Sequence, residues 1–389
     1  MANWKQALTH IVGSIDDYFD SLQFRRRQRR GIAPVQILAY IGHGTRETFY
    51  VRGRAIEDYS VLDARDTDTT WRNLRNMYRR FNSQEIPHAR VRAYFDGKVY
   101  ETRADDEGFF RLEIALDPPL LDGVIWHDVP VELIDYAEQE SARTVARVIV
   151  PPGTARFGII SDLDDTVIKS DVVNLLKLAR NTFLYNSHTR LPFAGVSEFY
   201  HALQRGVGQG SGATAEYNPF FYVSNSPWNL YDLLVDFFKV RGIPMGTFFL
   251  SDIGLTPTKL VRTNGVKQKS EVIHMLFETH PQLPFILIGD SGEQDAEIYL
   301  KVVQRYPGRV KAIYIRDVSM QRRDREVQRI IEQVAASGTE MLLIPDTAAA
   351  AAHALNRGYI APAALPAIQE EKRADQQTTP IEAMFDDIS

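Results

Sequence analysis

FGIISDLDDTVIKSD (157–171) decides the fold of this chain. The apolar run FGII reads as a buried strand. The eleven residues that take over from it, SDLDDTVIKSD (161–171), carry four acids. Carboxylates crowded at one strand end repel one another unless a cation neutralises them. In an extended segment alternate side chains share a face, so Asp162 and Asp164 can point into one crevice while Leu163 packs away. Thr166, just past the strand, can orient the turn through its hydroxyl.

Working outward, the same pattern recurs downstream. Apolar runs FFYVS (220–224), TFFLS (247–251), PFILIGD (284–290), VKAIYIRD (310–317) and MLLIPD (341–346) alternate with helical stretches at Asn229–Val240, Lys269–Thr279 and Asp295–Arg305. Strands without strong alternation, separated by helices, predict an α/β unit whose parallel sheet is covered on both faces. Ligands of such sheets bind beyond the carboxyl ends of the strands. Several of these strands end in Asp or Ser, which makes the strand ends the place to look for chemistry.

IGDSGEQD supplies Asp290 at one strand end and Asp295 five residues later. Oxygen donors from separate strands suit Mg²⁺. Zinc is disfavoured, because the chain has no cysteine and none of its nine histidines forms a ligand-like pair. FYVSNSP places Ser224 at a strand end, with Asn225 after it, where a hydroxyl and nearby backbone N–H groups can hold a phosphoryl oxygen. VKQKSEVI places Lys269 at a predicted helix start, where an ammonium would offset charge on a nucleophile and a transferring phosphoryl group. Lys259, Arg262 and Lys267 compete for that part. Each element alone is weak: a strand-end serine is usually a helix cap, and a lone lysine is usually solvated. In order, each at its strand or helix, they form one constellation. A nucleotide-binding or response-regulator-like domain would also carry strand-end acids, but not this spacing together with Ser224, Lys269 and Asp290.

Upstream, residues 34–150 give short alternating runs (VQILAYIG, TFYVRGRAI, ARVRAYFDGKVYETRAD, GFFRLEIAL, VPVELID) punctuated by FDGK and DDEG. This predicts an antiparallel β-sandwich, interrupted by a basic helical stretch near 65–85. Pro151–Pro152–Gly153 marks a boundary, and the α/β unit is expected over 154–362. Residues 4–23 form an amphipathic helix followed by FRRRQRR (24–30). Residues 1–33 either dock on anionic lipid or pack against a domain, the arginines favouring the helix C-terminal dipole. Residues 363–389 read as a polar, disordered tail.

At 389 residues the chain is too long for one ordinary core. A net charge of −5 gives no electrostatic reason to bind nucleic acid. The absence of cysteine excludes a disulfide framework and a cysteine nucleophile, and fits a reducing cytosol. No secretory signal and no membrane-spanning stretch are read. The expected location is cytoplasmic, with attachment to a membrane surface left open, and the oligomeric state is unreadable.

Residues 157–317 resemble the haloacid dehalogenase superfamily of phosphotransferases, through Asp162-Leu163-Asp164-Asp165-Thr166, Ser224, Lys269, and Gly289-Asp290 with Asp295. The stretches DLDDTVIKSD, YVSNSPWNL and PFILIGDSGEQDAEIY more closely resemble the actin-patch-type phosphatidate phosphatases and their bacterial relatives, whose catalytic domain is akin to that of lipins. The sandwich with its VRGRAI run extends the likeness over most of the chain. A glycine commonly precedes the Thr in the superfamily. Asp165 stands there instead, in the form the actin-patch group shares.

That resemblance implies a Rossmann-like parallel sheet of the haloacid dehalogenase type and an Mg²⁺-dependent phosphatase. Asp162 would be the nucleophile and Asp164 the acid and base. Asp162, the Asp164 carbonyl and Asp290 would hold Mg²⁺, with Asp295 holding the metal's waters. Thr166, Ser224, Asn225 and Lys269 would form the phosphate-binding set. Residues 171–200 would cover the site and face either substrate or the domain. Arg190 and Trp228 would contact substrate, or else serve as a salt-bridge residue and a core residue. The substrate implied is phosphatidate or a related lipid phosphomonoester. The alternatives are a soluble phosphomonoester handled by the same mechanism, and a lipid- or protein-binding scaffold whose sandwich is the working module.

Overall fold

The structure is a computed structural model that describes residues 34–57, 85–163, 195–208, 215–251, 265–317 and 321–377. The expected N-terminal helix, most of the basic stretch near 65–85 and most of the covering segment 171–200 lie outside the described residues. So do Asp164, Asp165, Thr166, Asp171, Arg190, Lys259 and Arg262.

Eight strands build the first sheet: β1 (Val35–Ala39), β2 (Gly42–Gly44), β3 (Thr48–Glu57), β4 (Arg90–Phe95), β5 (Lys98–Arg103), β6 (Phe109–Ala115), β7 (Trp126–Leu133) and β8 (Arg143–Ile149). Their order is β1-β3-β2-β8-β7-β4-β5, with β6 paired to β3. Among the described pairs all are antiparallel except β2 with β8, so the unit expected as an antiparallel β-sandwich is one eight-stranded mixed sheet. Alternate residues point inward, and Val35, Phe49, Val91, Phe110, Val131 and Val148 from six different strands meet in one core. The FDGK turn closes β4 onto β5 through positive φ at Asp96 and Gly97, the two-residue hairpin geometry that Asp-Gly favours.

Six parallel strands build the second sheet: β9 (Gly158–Asp162), β10 (Phe220–Pro227), β11 (Thr247–Ser251), β12 (Phe285–Asp290), β13 (Val310–Arg316) and β14 (Met341–Ile344), ordered β11-β10-β9-β12-β13-β14. Successive residues feed opposite faces. Ile159, Ile286 and Ile288 pack under α1 (Val196–Arg205), α2 (Tyr231–Arg241), α6 (Thr347–Asn356) and α7 (Leu365–Gln377). Ile160, Phe285 and Leu287 pack under α3 (Gly265–Thr279), α4 (Asp295–Arg305) and α5 (Gln321–Ala336). Both faces are therefore buried, which explains the apolar runs without alternation.

Part of the stretch read as a disordered tail is helical, α7 covering Leu365–Gln377. Its sequence hides this, since its apolar stripe is thin: Ile368 is fully buried, Leu365 packs partly buried against the same core, and polar contacts add to them. The Glu371 carboxylate accepts the Glu198 N–H at 2.8 Å, and Lys372 Nζ reaches Asp346 Oδ2 at 2.6 Å. Residues 378–389 are outside the described set.

Candidate active site

The chain crosses from β9 outward to β10 and β11, then returns to β12 on the other side of β9. Such a reversal opens a crevice at the carboxyl ends of the strands. Register brings three of those ends level: Asp162 stands beside Val223 of β10, and Ser161 beside Ile288 of β12. Ser224 therefore continues directly past the neighbour of Asp162, and Gly289–Asp290 past the neighbour of Ser161.

Lys269 is the centre of the site. It is 2% exposed, although a lysine stem can usually carry its ammonium to water. Its Nζ lies 2.7 Å from Asp162 Oδ1, 2.7 Å from Asp295 Oδ1 and 3.1 Å from Glu293 Oε2. Helix α3 thus delivers a cation to carboxylates from two strand ends. Lys267, two residues earlier, is solvated and pairs with Glu271 at 3.7 Å. Among the described competitors, then, Lys269 alone meets Asp162.

Asp295 opens α4 and is fully buried. Its Oδ2 accepts the Asp290 N–H at 3.0 Å, so it ties the end of β12 to the ammonium. A Cβ on Gly289 would stand 2.2 Å from that oxygen, so only glycine lets the carboxylate approach the strand. Asp290 itself turns its Oδ1 to the N–H groups of Gly292 (2.8 Å) and Glu293 (2.9 Å). Burial raises its pKa, with the charges of Asp295 and Glu293 adding to the shift and those two N–H groups opposing it. Ser161 Oγ lies 2.8 Å from Tyr200 Oη and donates to the Asp162 carbonyl at 3.1 Å, fixing the backbone before the acid.

Ser224 Oγ accepts the Ser226 N–H at 2.9 Å. Asn225 lies against the start of α3, where its Oδ1 would be 2.4 Å from a Cβ on Gly265. Trp228 takes the packing alternative: it is buried and its ring stacks on Tyr40 of the first sheet, centroids 4.3 Å apart. It does not join the carboxylates. Sequence reasoning missed Glu293. Its only signal was its place inside GDSGEQD, and the turn after β12 brings it to Lys269.

Asp162, Glu293 and Asp295 offer oxygens that all lie within 4.8 Å of one another, an arrangement able to hold a metal ion. The set has Glu293 and lacks Asp290 of the expected Asp162–Asp164–Asp290–Asp295, Asp164 lying outside the described residues, and the same three residues face Lys269 Nζ with their carboxylates. Oxygen-only donors fit a hard divalent cation. Among the described residues no helix is long and apolar enough to cross a membrane.

Residues 157–317 match the family model described as the catalytic domain of phosphatidate phosphatase APP1. The phosphatidate phosphatase APP1 of Saccharomyces cerevisiae is 31% identical over 190 residues, which is 49% of this chain and 30% of that protein. An uncharacterized protein of Schizosaccharomyces pombe is 29% identical over 163 residues, 42% of this chain and 25% of that one. The chain thus spans less than a third of either relative. Among solved structures, a carbohydrate acetylesterase from Xanthomonas citri aligns over 85% of this chain and 71% of its own with 12% identity. Its TM-score is 0.25.

Proposed function

Since residues 157–317 belong to the family of the phosphatidate phosphatase APP1 catalytic domain, we propose that the chain is a phosphoric monoester hydrolase of the haloacid dehalogenase type, acting on phosphatidate or a related lipid phosphomonoester. The observation that carries this reading is the buried contact of Lys269 Nζ with Asp162 Oδ1 at 2.7 Å, at the switch point of the parallel sheet. A carboxylate beside a fixed ammonium stays ionised at neutral pH, as a nucleophile must.

In the proposed reaction an Asp162 carboxylate oxygen attacks phosphorus, the bond from phosphorus to the lipid oxygen breaks, and an aspartyl-phosphate forms. Asp164 gives its proton to the leaving alkoxide. It then takes one from the water that attacks the aspartyl-phosphate, which returns Asp162 and releases orthophosphate. Splitting one displacement in two lowers each barrier. Ser224, Asn225 and Thr166 hold the phosphoryl oxygens, and Lys269 spreads positive charge toward them.

Mg²⁺ is the cation proposed for the acidic cluster. Asp162, with Asp290 and the Asp164 carbonyl, or with Glu293 and Asp295, would hold it, and it would supply charge neutralisation for the phosphoryl group.

The test offers phosphatidate in mixed micelles to the purified chain with and without Mg²⁺. Orthophosphate release that needs the metal and vanishes in Asp162→Asn is expected. Absence of release, or equal release by the variant, refutes the proposal. Release from a soluble phosphomonoester alone assigns the activity to that class.

A further inference from the structure

Ser224 and Asn225 sit where the ladder lets go of its strand. Pairing of β10 with β9 runs from Phe220 to Val223. Its register with β11 shifts between Val223 and Pro227. An irregularity of this kind re-aims side chains at a strand end, so the shape of 224–226 depends on what fixes the chain beyond it. The chain beyond it is clasped by the first sheet.

Two residues make the clasp. Tyr40, buried at the end of β1, stacks on Trp228 at 4.3 Å and 18°, and meets the Tyr231 ring at 4.6 Å. Next to it the Ile41 N–H donates to Tyr231 Oη at 2.9 Å. Arg54 on β3 is 8% exposed and uses every arm of its guanidinium. Nη1 donates to Asn229 Oδ1 at 2.7 Å, Nη2 to Glu85 Oε1 at 2.9 Å, and Nε to the Glu107 carbonyl at 3.0 Å. The guanidinium plane also lies 4.5 Å from the Phe109 ring centroid. Arg54 is thus held from three sides within its own unit, and its free direction is spent on Asn229. A planar fork so oriented transmits position, whereas a flexible lysine would not.

We propose that Arg54 and Tyr40 are positioning residues for the phosphate-binding turn Ser224–Asn225, and that the first sheet is the brace that keeps that turn in its phosphoryl-binding shape. This rests on the phosphatase reading above. It gives the eight-stranded unit a part in the reaction, in place of the scaffold function considered from sequence.

The experiment uses the full chain and two readouts: kcat and KM on phosphatidate micelles, and the dissociation constant for orthophosphate by calorimetry. Arg54→Ala and Asn229→Ala each raise KM and weaken orthophosphate about tenfold, within the range of couplings carried by one contact, while kcat at saturation changes less. The double variant is no worse than either single one, because both cut the same link. Arg54→Lys keeps most of the loss, because a flexible ammonium does not fix Asn229 as the planar fork does. Should Arg54→Ala fail to fold, Asn229→Ala removes the same contact and leaves the Arg54–Glu85 pair in place. Unchanged KM and orthophosphate affinity in a folded variant, or fully additive losses in the double variant, overturn the inference. A wild-type chain that binds orthophosphate without hydrolysing the lipid refutes the substrate alone, and the calorimetric arm still decides the clasp. A wild-type chain that does neither overturns both.

Discussion

Replacing Lys269 by Met keeps most of the stem volume and removes the charge. In the wild type the ammonium stands 2.7 Å from two carboxylates whose side chains are 3% and 0% exposed, those of Asp162 and Asp295. The third partner, Glu293, is 32% exposed, so solvent screens it and its share is discounted. Removing one partner of a buried ion pair costs about 3–5 kcal/mol, because the other charge is left without compensation. Lys269→Met therefore lowers the unfolding free energy by about 4 kcal/mol, roughly a thousandfold in the equilibrium constant. Urea titration followed by circular dichroism measures it. The same logic predicts two rescues. Millimolar Mg²⁺ or Ca²⁺ stabilises the variant more than the wild type, since the three oxygens within 4.8 Å then lack a cation. Asp295→Asn added to Lys269→Met recovers part of the loss, although alone it destabilises. A loss below about 1 kcal/mol, with neither rescue observed, would show that the ammonium is not what the acids depend on.

Two further perturbations read other parts of the structure. Gly289→Ala forces its Cβ against Asp295 Oδ2. It should cost about 1–3 kcal/mol in thermal unfolding and reduce phosphate release, as overpacking does; equal stability and activity would mean that the strand end yields freely. His280, buried, has its pKa lowered from 6.5 to about 4, first by burial and then by the Arg309 charge. Its unfolded form binds the proton first as pH falls, so the stability it contributes is complete above about pH 6.5 and is lost toward pH 4. The full swing is of order 3 kcal/mol. His43, also buried and with its pKa lowered by burial before the His280 and Arg52 charges, acts in the same direction. Urea titrations from pH 7 to pH 4 should show a flatter decline in His280→Phe than in the wild type; identical slopes would exclude the histidine.

Much of the α/β unit was legible because its strands are long apolar runs with chemistry at their ends. TFFLS (247–251) and Asp295–Arg305 match the observed elements to the residue. Asp162 and Asp295 were marked by a strand end and a helix start; Lys269, read as a helix start, stands one turn inside α3, which begins at Gly265, and the fold brings the three into contact. What sequence could not give was anything set by packing between distant segments. Trp228 carries no local sign that Tyr40 will cover it. Glu293 looks like any acid in a turn until β12 and α3 are side by side. The parallel pairing of β2 with β8 joins segments about a hundred residues apart and leaves no trace in the alternation of either. Helix α7 was read as tail because polar contacts hold it and its apolar stripe is thin.

The position of Asp162 at the middle of the parallel sheet also has a meaning for synthesis. The chain leaves the ribosome N-terminus first, so β9 exists more than a hundred residues before Lys269 has been made. During that interval the central strand carries a carboxylate whose burial is opposed, and the sheet cannot close stably around it. Arrival of Lys269 on α3 removes the obstacle. Closure of the sheet around Asp162 therefore waits for the segment that carries Lys269. A chain that ends before Lys269 lacks the ammonium that Asp162 meets at 2.7 Å.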